Sequence, residues 1–255
     1  METSLSTTED QLVDSLSFKL PSTANYILSR DDVTFFPANG NEFSPIGVKV
    51  IRFMITGTQW LDPRSVRIKF KINNRDLLNP LRPINCLPQN FIRRVRILCG
   101  GTLIEDIDYF NRVCNMLHFL YPTEKRLNDL VEGFGQNPNS HFETDPEARP
   151  SFTSFNDCPN LPPGQSRVVL FPLMCGLFTQ EKYLPLRFLQ GLQIEMEVVN
   201  QFTDCVLDHV DPIANIVAGV VNAVDGNSAM STAWTISEAQ IKCSVVELDS
   251  QLDNE

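Results

Sequence analysis

Between Ser65 and Ile72 apolar and polar residues alternate without a break: Val66, Ile68, Phe70 and Ile72 against Ser65, Arg67, Lys69 and Lys71. Successive side chains on a strand point to opposite faces, so this segment has one oily face and one wet face. That is the pattern of a half-buried strand in an antiparallel sheet. The zigzag recurs down the chain. Residues 47–55 set Ile51, Phe53 and Ile55 against Arg52 and Met54, and residues 91–99 set Val95, Ile97 and Cys99 against Arg94 and Arg96. Residues 186–199 end with Ile194, Met196 and Val198 against Gln193, Glu195 and Glu197. In 234–248, Ile241, Cys243 and Val245 alternate with Gln240, Lys242 and Ser244. Shorter β runs read at 32–37, 102–107 and 166–173.

Turn chemistry separates these runs. Ala38-Asn39-Gly40-Asn41 marks a turn. Gly100-Gly101 lies between two β runs and predicts a two-residue hairpin, because both turn positions need positive φ. Residues 73–90 contain Pro80, Pro83 and Pro88 and read as a long connection. At 108–120 the spacing becomes helical: Phe110, Val113, Met116 and Leu117 fall at i, i+3, i+6 and i+7, and Leu120 continues the stripe. Asp106 or Asp108 is placed to cap that helix, and 124–130 reads as a second short one. Residues 133–165 are rich in Gly, Pro, Asn and Ser and read as a long surface loop, and 203–231 as loop-like. The expected organisation is an N-terminal arm over 1–30, a single domain over 31–255 with a helical insertion near 108–132, and a polar tail. Eight strands with one helical excursion and no repeated βαβ unit predict an all-β fold, an eight-stranded antiparallel jelly-roll sandwich.

The chain has 255 residues, ample for one core without staples. Seventeen prolines and seventeen phenylalanines suit Pro-bearing loops joining Phe-bearing strands. Net charge is −10, which gives the whole molecule no attraction to nucleic acid. The seven cysteines (86, 99, 114, 158, 175, 205 and 243) form no CxxC pair and read as free, mostly buried thiols in a reducing compartment. No basic-then-apolar leader opens the chain, so a signal peptide is not expected. The longest apolar run, 213–224, is too short to span a bilayer and holds Asn215 and Asn222.

Candidate chemistry is thin. His118, His141 and His209 are the only histidines, and none belongs to the His-x-His pair that a metal-binding jelly roll of the cupin kind needs. Asp208-His209-x-Asp211 reads as a solvated acidic loop before it reads as a cation site. Cys114 and His118, four apart on the helix, read as a core cysteine beside a partly buried histidine before they read as a nucleophile and base. Glu105 and Asp106 face opposite sides of a regular strand and cannot act as one acid/base pair. No GxSxG, GxxxxGK[ST] or GxGxxG occurs. Arg93, Arg94 and Arg96, with Arg67, Lys69 and Lys71, read either as polar outer faces or as one cationic sheet face that pairs with an acidic surface of a neighbouring copy. Trp60 and Trp234 adjoin strand patterns, which weakens a carbohydrate- or ligand-binding reading that needs exposed aromatics. No catalytic, cofactor-binding or metal residue is assigned, no cofactor is implied, and an enzyme is not expected.

A set of ordered motifs points further. Phe36-Pro37-Ala38-Asn39-Gly40, Val48-x-Val50-Ile51-Arg52-Phe53, Trp60-Leu61-Asp62-Pro63 and the strand at 65–72 come first. Arg94-Val95-Arg96-Ile97, Gly100-Gly101-Thr102-x-Ile104-Glu105-Asp106-Ile107 and Asp108-Tyr109-Phe110-Asn111-Arg112 follow. Ile236-Ser237-x-x-Gln240-Ile241-Lys242-Cys243 and Leu248-Asp249-Ser250 close the series. In this order, from about residue 30 onward, the chain resembles the first jelly roll of the double jelly-roll major capsid proteins of polinton-like viruses, adintoviruses and virophages. The resemblance implies a structural subunit of an icosahedral capsid of a DNA virus, found in the virion after assembly in the host cytoplasm or nucleus. It implies other copies of itself as partners, in a trimer or pseudo-hexameric capsomer, together with a second jelly roll and penton or minor capsid proteins, and no specific nucleic acid. The family carries two jelly rolls in one polypeptide, and the residues here account for the first. Loops 73–90, 133–165 and 203–231 are the expected contact segments.

Overall fold

The structure is a computed structural model, and it describes residues 27–122, 132–134, 161–206, 215–217, 220–222 and 231–248. The expected second helix at 124–130, the arm up to residue 26, the tail from 249 and most of loops 133–165 and 203–231 lie outside the described residues. Among the described residues eight strands of six residues or more carry the fold: β1 (Ile27–Phe35), β2 (Val50–Ile55), β3 (Arg67–Asn74), β4 (Ile92–Cys99), β5 (Thr102–Ile107), β6 (Ser166–Pro172), β7 (Leu192–Val198) and β8 (Trp234–Leu248).

Their pairing has a simple rule. β1 pairs with β8, β2 with β7, β3 with β6 and β4 with β5, all antiparallel. This is one long folded hairpin whose two arms run side by side. Rolling it up brings β8 against β3 and β7 against β4, again antiparallel. The result is two four-stranded layers: sheet I in the order β6-β3-β8-β1 and sheet II in the order β2-β7-β4-β5. That order is an eight-stranded jelly roll. Short pieces extend sheet I: Glu42–Phe43 and Trp60–Leu61 pair with β8, and Leu184–Pro185 pairs with Trp60–Leu61.

The alternation read from sequence fixes which side chains meet between the layers. Ile68, Phe70 and Ile72 of β3, Ile51, Phe53 and Ile55 of β2, Val95 and Ile97 of β4, and Ile194, Met196 and Val198 of β7 are all buried in one cluster. Phe70 meets Phe171 edge to face at 5.5 Å. Trp234 is wholly buried between Phe91 and Phe202, at 4.7 and 5.7 Å, and its indole N–H donates to the Phe202 carbonyl at 3.1 Å.

The Gly-Gly hairpin forms as expected: β4 ends at Cys99, β5 begins at Thr102, and Gly100 and Gly101 have φ of +54° and +81°. Several expectations shift. The first strand begins at Ile27, so 27–30 belong to sheet I and not to an arm. Its Ser, Arg and Asp residues hid it from the alternation test. Within 186–199 the strand lies at the end, as expected, over Leu192–Val198, after a 3₁₀ turn at Leu186–Phe188. The stretch read as loop-like at 203–231 carries a 3₁₀ turn at Phe202–Cys205 and a small ribbon of Asn215–Val217 against Val220–Asn222. Helix α1 (Phe110–Leu120) is capped by no side chain; Tyr109, in the left-handed region, occupies its N-cap. Asp108 instead accepts the Tyr109 N–H. The apolar stripe is only partly the buried face: Phe110 is buried and Leu117 half-buried, but Val113, Met116 and Leu120 are exposed. Phe110, Asn111, Cys114 and His118 turn inward, while Val113, Met116, Phe119 and Leu120 face solvent.

Candidate functional site

The described residues offer faces and edges rather than a cleft. On the outside of sheet II, central strand β7 presents Gln193, Glu195 and Glu197 between the cations of β2 and β4. The register sets Glu195 opposite both Arg52 and Arg96. Its carboxylate accepts from Arg52 Nε at 2.9 Å and from Arg96 Nη2 at 2.8 Å, and takes a third bond from Gln193 Nε2 at 2.8 Å. Although it lies on an outer face, the Glu195 side chain is only 7% exposed, because its own partners cover it. Next to it Arg94 forms a two-pronged pair with Asp106, at 2.8 and 2.6 Å. That hydrogen bonding holds the Asp106 carboxyl below its ordinary value and pushes the Arg94 guanidinium up. Arg93 reaches Asp108 at 3.5 Å and Glu197 at 3.8 Å. The four cations Arg52, Arg93, Arg94 and Arg96 are matched by the four anions Glu195, Glu197, Asp106 and Asp108, so these ion pairs leave no net charge.

Sheet I differs. Its outer face carries Arg67, Lys69 and Lys71 on β3 and Lys242 on β8, beside the exposed Val168 and Leu170 of β6. Lys71 pairs with Glu238 at 3.1 Å, and Arg67 donates to the Arg64 carbonyl at 2.7 Å. The six cations grouped in the sequence therefore divide between opposite sides of the sandwich and do not form a single basic face. Strand order separates them, and a local pattern does not carry strand order.

Two sheet edges are closed locally. Asn39 imitates a strand against β2: its amide donates to the Val50 carbonyl at 2.5 Å and its oxygen accepts the Arg52 N–H at 3.0 Å. Ala38 N–H adds a bond to the Arg52 carbonyl at 2.7 Å. Against β6 runs Gly133, so close that a Cβ there would lie 2.7 Å from Val169 Cγ1 and 2.9 Å from the Val168 carbonyl. Strand addition is obstructed on β2 where Ala38 and Asn39 bond and on β6 where Gly133 packs.

The remaining candidates fall as follows. Cys114 and His118 are both buried and border a cavity of about 40 Å³ with Gln89, Glu132 and Tyr121, room for a few waters. Burial, with Glu132 nearby, pushes the Cys114 thiol up to about 12, the opposite of an activated nucleophile. Burial likewise raises Cys175 and Cys243 to about 12. Glu105 and Asp106 diverge: Glu105 accepts the N–H groups of Gly176 and Leu177 at 2.8 and 3.1 Å, while Asp106 takes Arg94. Trp234 is buried and Trp60 half-buried, so neither is the exposed aromatic that a sugar platform needs. Among the described residues no three His, Cys, Asp or Glu side chains gather to hold a metal. His141, His209, Asp208 and Asp211 lie outside them. The Asn39 edge closure and the Glu195 bridge were missed in the sequence. Asn39 stood in a turn signal and in the Phe36–Gly40 motif, neither of which gives it an edge role, and the Glu195 bridge became visible only once β7 was known to lie between β2 and β4.

A scan against family models and a search of curated proteins return no match. Solved structures do match. A chain of the Sputnik virophage structure solved by cryo-EM is 15% identical, with a TM-score of 0.51 over 92% of this chain and 51% of that one. VP54 of PBCV-1, fitted into a cryo-EM reconstruction of Sputnik, is 11% identical over 93% of this chain and 47% of its own, with a TM-score of 0.48. The mavirus major capsid protein is 12% identical over 94% of this chain and 51% of its own, with a TM-score of 0.45. The chain thus spans about half the length of these solved chains. At such identities the likeness is one of fold, and the Sputnik match carries it: the jelly roll traced here has a counterpart in a virophage particle.

Proposed function

We propose that the chain is a structural shell subunit: the first jelly roll of a viral major capsid protein, which works by touching other copies of itself. The observation that carries this reading is the rolled strand order, matched over 92% of the chain to half of a chain of the Sputnik virophage structure. Half-coverage is what one jelly roll of a double jelly-roll protein predicts. The site geometry agrees in kind. A shell brick needs rigid layers, closed edges and broad outer faces, and such faces bind surfaces rather than small molecules. The expected partners are a second jelly roll and further copies in a trimeric or pseudo-hexameric capsomer, with penton or minor capsid proteins beside it, in the virion. The ion-paired face of sheet II and the net charge of −10 give no reason to expect specific nucleic-acid binding.

Electron microscopy of the chain expressed with a second jelly roll tests the proposal. Ring-shaped capsomers with three-fold or pseudo-six-fold symmetry are expected. Discrete single sandwiches at every concentration, with no rings, would sink it.

A further inference from the structure

The residue that closes the β2 edge is also the most reactive asparagine by its neighbour. Asn39 precedes Gly40, the one Asn-Gly pair in the sequence, and both residues are exposed. A glycine has no Cβ to shield its backbone nitrogen, so that nitrogen can reach the side-chain carbonyl of the asparagine before it. Here the approach is open. Gly40 has φ of +137°, and a Cβ built on it would meet nothing within 4 Å. Among the described residues its N–H makes no hydrogen bond.

The edge closure restrains this pair. The Asn39 amide donates to the Val50 carbonyl, and its oxygen accepts the Arg52 N–H. Both bonds hold the carboxamide on β2. The side-chain carbon must leave that position to meet the Gly40 nitrogen, so the edge has to open locally before the two can react. The Val50 bond is lost in any case, because its donor atom is the one the reaction expels.

We propose that Asn39-Gly40 is a site of spontaneous deamidation that unlatches the β2 edge irreversibly. The Gly40 N–H gives its proton to water or hydroxide, and the nitrogen attacks Asn39 Cγ. The new N–C bond forms as the Cγ–Nδ2 bond breaks, and Nδ2 departs as ammonia to leave a cyclic imide. Water then opens the imide at either carbonyl, giving an aspartate at position 39 or an isoaspartate whose backbone runs through the side-chain carbon. Water is the only co-reactant. The product has lost the donor that faced Val50. In its place a carboxylate oxygen meets the Val50 carbonyl oxygen, two acceptors with no proton between them. Because β2 is the outer strand of sheet II, its freed backbone groups become available to another strand.

Peptide mass spectrometry of the full chain, aged at mildly alkaline pH either folded or in denaturant, tests the site, with isoaspartate methyltransferase labelling to identify the product. Asn39 is expected to convert in the folded chain roughly tenfold more slowly than in the denatured chain, the restraint that about one net hydrogen bond supplies. The folded Asn39→Asp variant, checked by circular dichroism, tests the consequence through hydrogen exchange at the Arg52 amide. Exchange is expected to be roughly tenfold faster than in the parent. If Asn39 stays intact in the folded chain while the denatured chain converts, the site is wrong. If the two chains convert at equal rates, the edge bonds restrain nothing and the inference fails. If Asn39→Asp leaves Arg52 exchange unchanged, the product does not open the edge and the unlatching falls. None of these outcomes bears on the shell reading, which stands or falls on assembly.

Discussion

The two sheets obey the same in-and-out alternation, yet their outer faces differ. On sheet II the acidic strand β7 lies between two basic strands, so Arg52 and Arg96 share one carboxylate and little charge is left over. On sheet I, β3 and β8 both bring cations outward and sit side by side, with Glu238 as a paired anion. Alternation decides which residues face water, but neighbour order decides whether their charges cancel. Sheet II thus presents a nearly neutral, cross-linked surface, and sheet I a cationic, loosely paired one.

The edges repeat the contrast. Sheet I is closed along β6 by backbone packing at Gly133, and sheet II along β2 by the Asn39 side chain. Gly133→Ala is the most damaging change expected: φ is +116° and the new methyl meets Val169 and the Val168 carbonyl. Strain and overpacking together cost about 3 kcal/mol, read by chemical denaturation. A loss under about 1 kcal/mol would mean that the 132–134 segment moves off β6 easily.

Glu195→Ala comes next. It leaves Arg52 and Arg96 facing each other without their shared anion. The half-exposed guanidinium groups soften the loss to about 2 kcal/mol. Asn39→Ala, which reopens the β2 edge, costs about 1 kcal/mol and raises the aggregation rate measured by turbidity. Glu238→Ala on sheet I costs less, within about 0.5 kcal/mol, since its pair with Lys71 is solvated. Equal effects of Glu195→Ala and Glu238→Ala would erase the distinction between the faces.

The smallest expected effect is on pH dependence. Arg94 depresses the folded-state pKa of Asp106, so this pair adds stability above the unfolded carboxyl value of about 4 and loses it as pH falls through the lower folded value. Asp106→Asn removes that contribution. Melting curves of parent and variant should differ at neutral pH and converge in acid. A constant offset down to the most acidic pH would show that Asp106 acts by packing alone.

Most of the sandwich is legible in the sequence because each strand keeps one face dry and period-two patterns report that directly. The hairpin is legible because only glycines accept both positive φ values cheaply. What stays hidden depends on contacts between distant segments. Ile27–Arg30 join sheet I through β8, so polar residues there still form a strand. Val113, Met116 and Leu120 of the α1 stripe point outward because Asn111, Cys114 and His118 turn to the core side with Phe110. Period alone cannot choose between two apolar faces. Asn39 and Glu195 acquire their roles only from the roll that brings them beside β2 and between β2 and β4.

The proposed contact of this sandwich with copies of itself is tested most directly by the molar mass in solution. Light scattering across a wide range of protein and salt concentrations is expected to give at least three times the 28.8 kDa of the chain, alone or with a second jelly roll supplied. A mass of one chain under every condition would contradict the account.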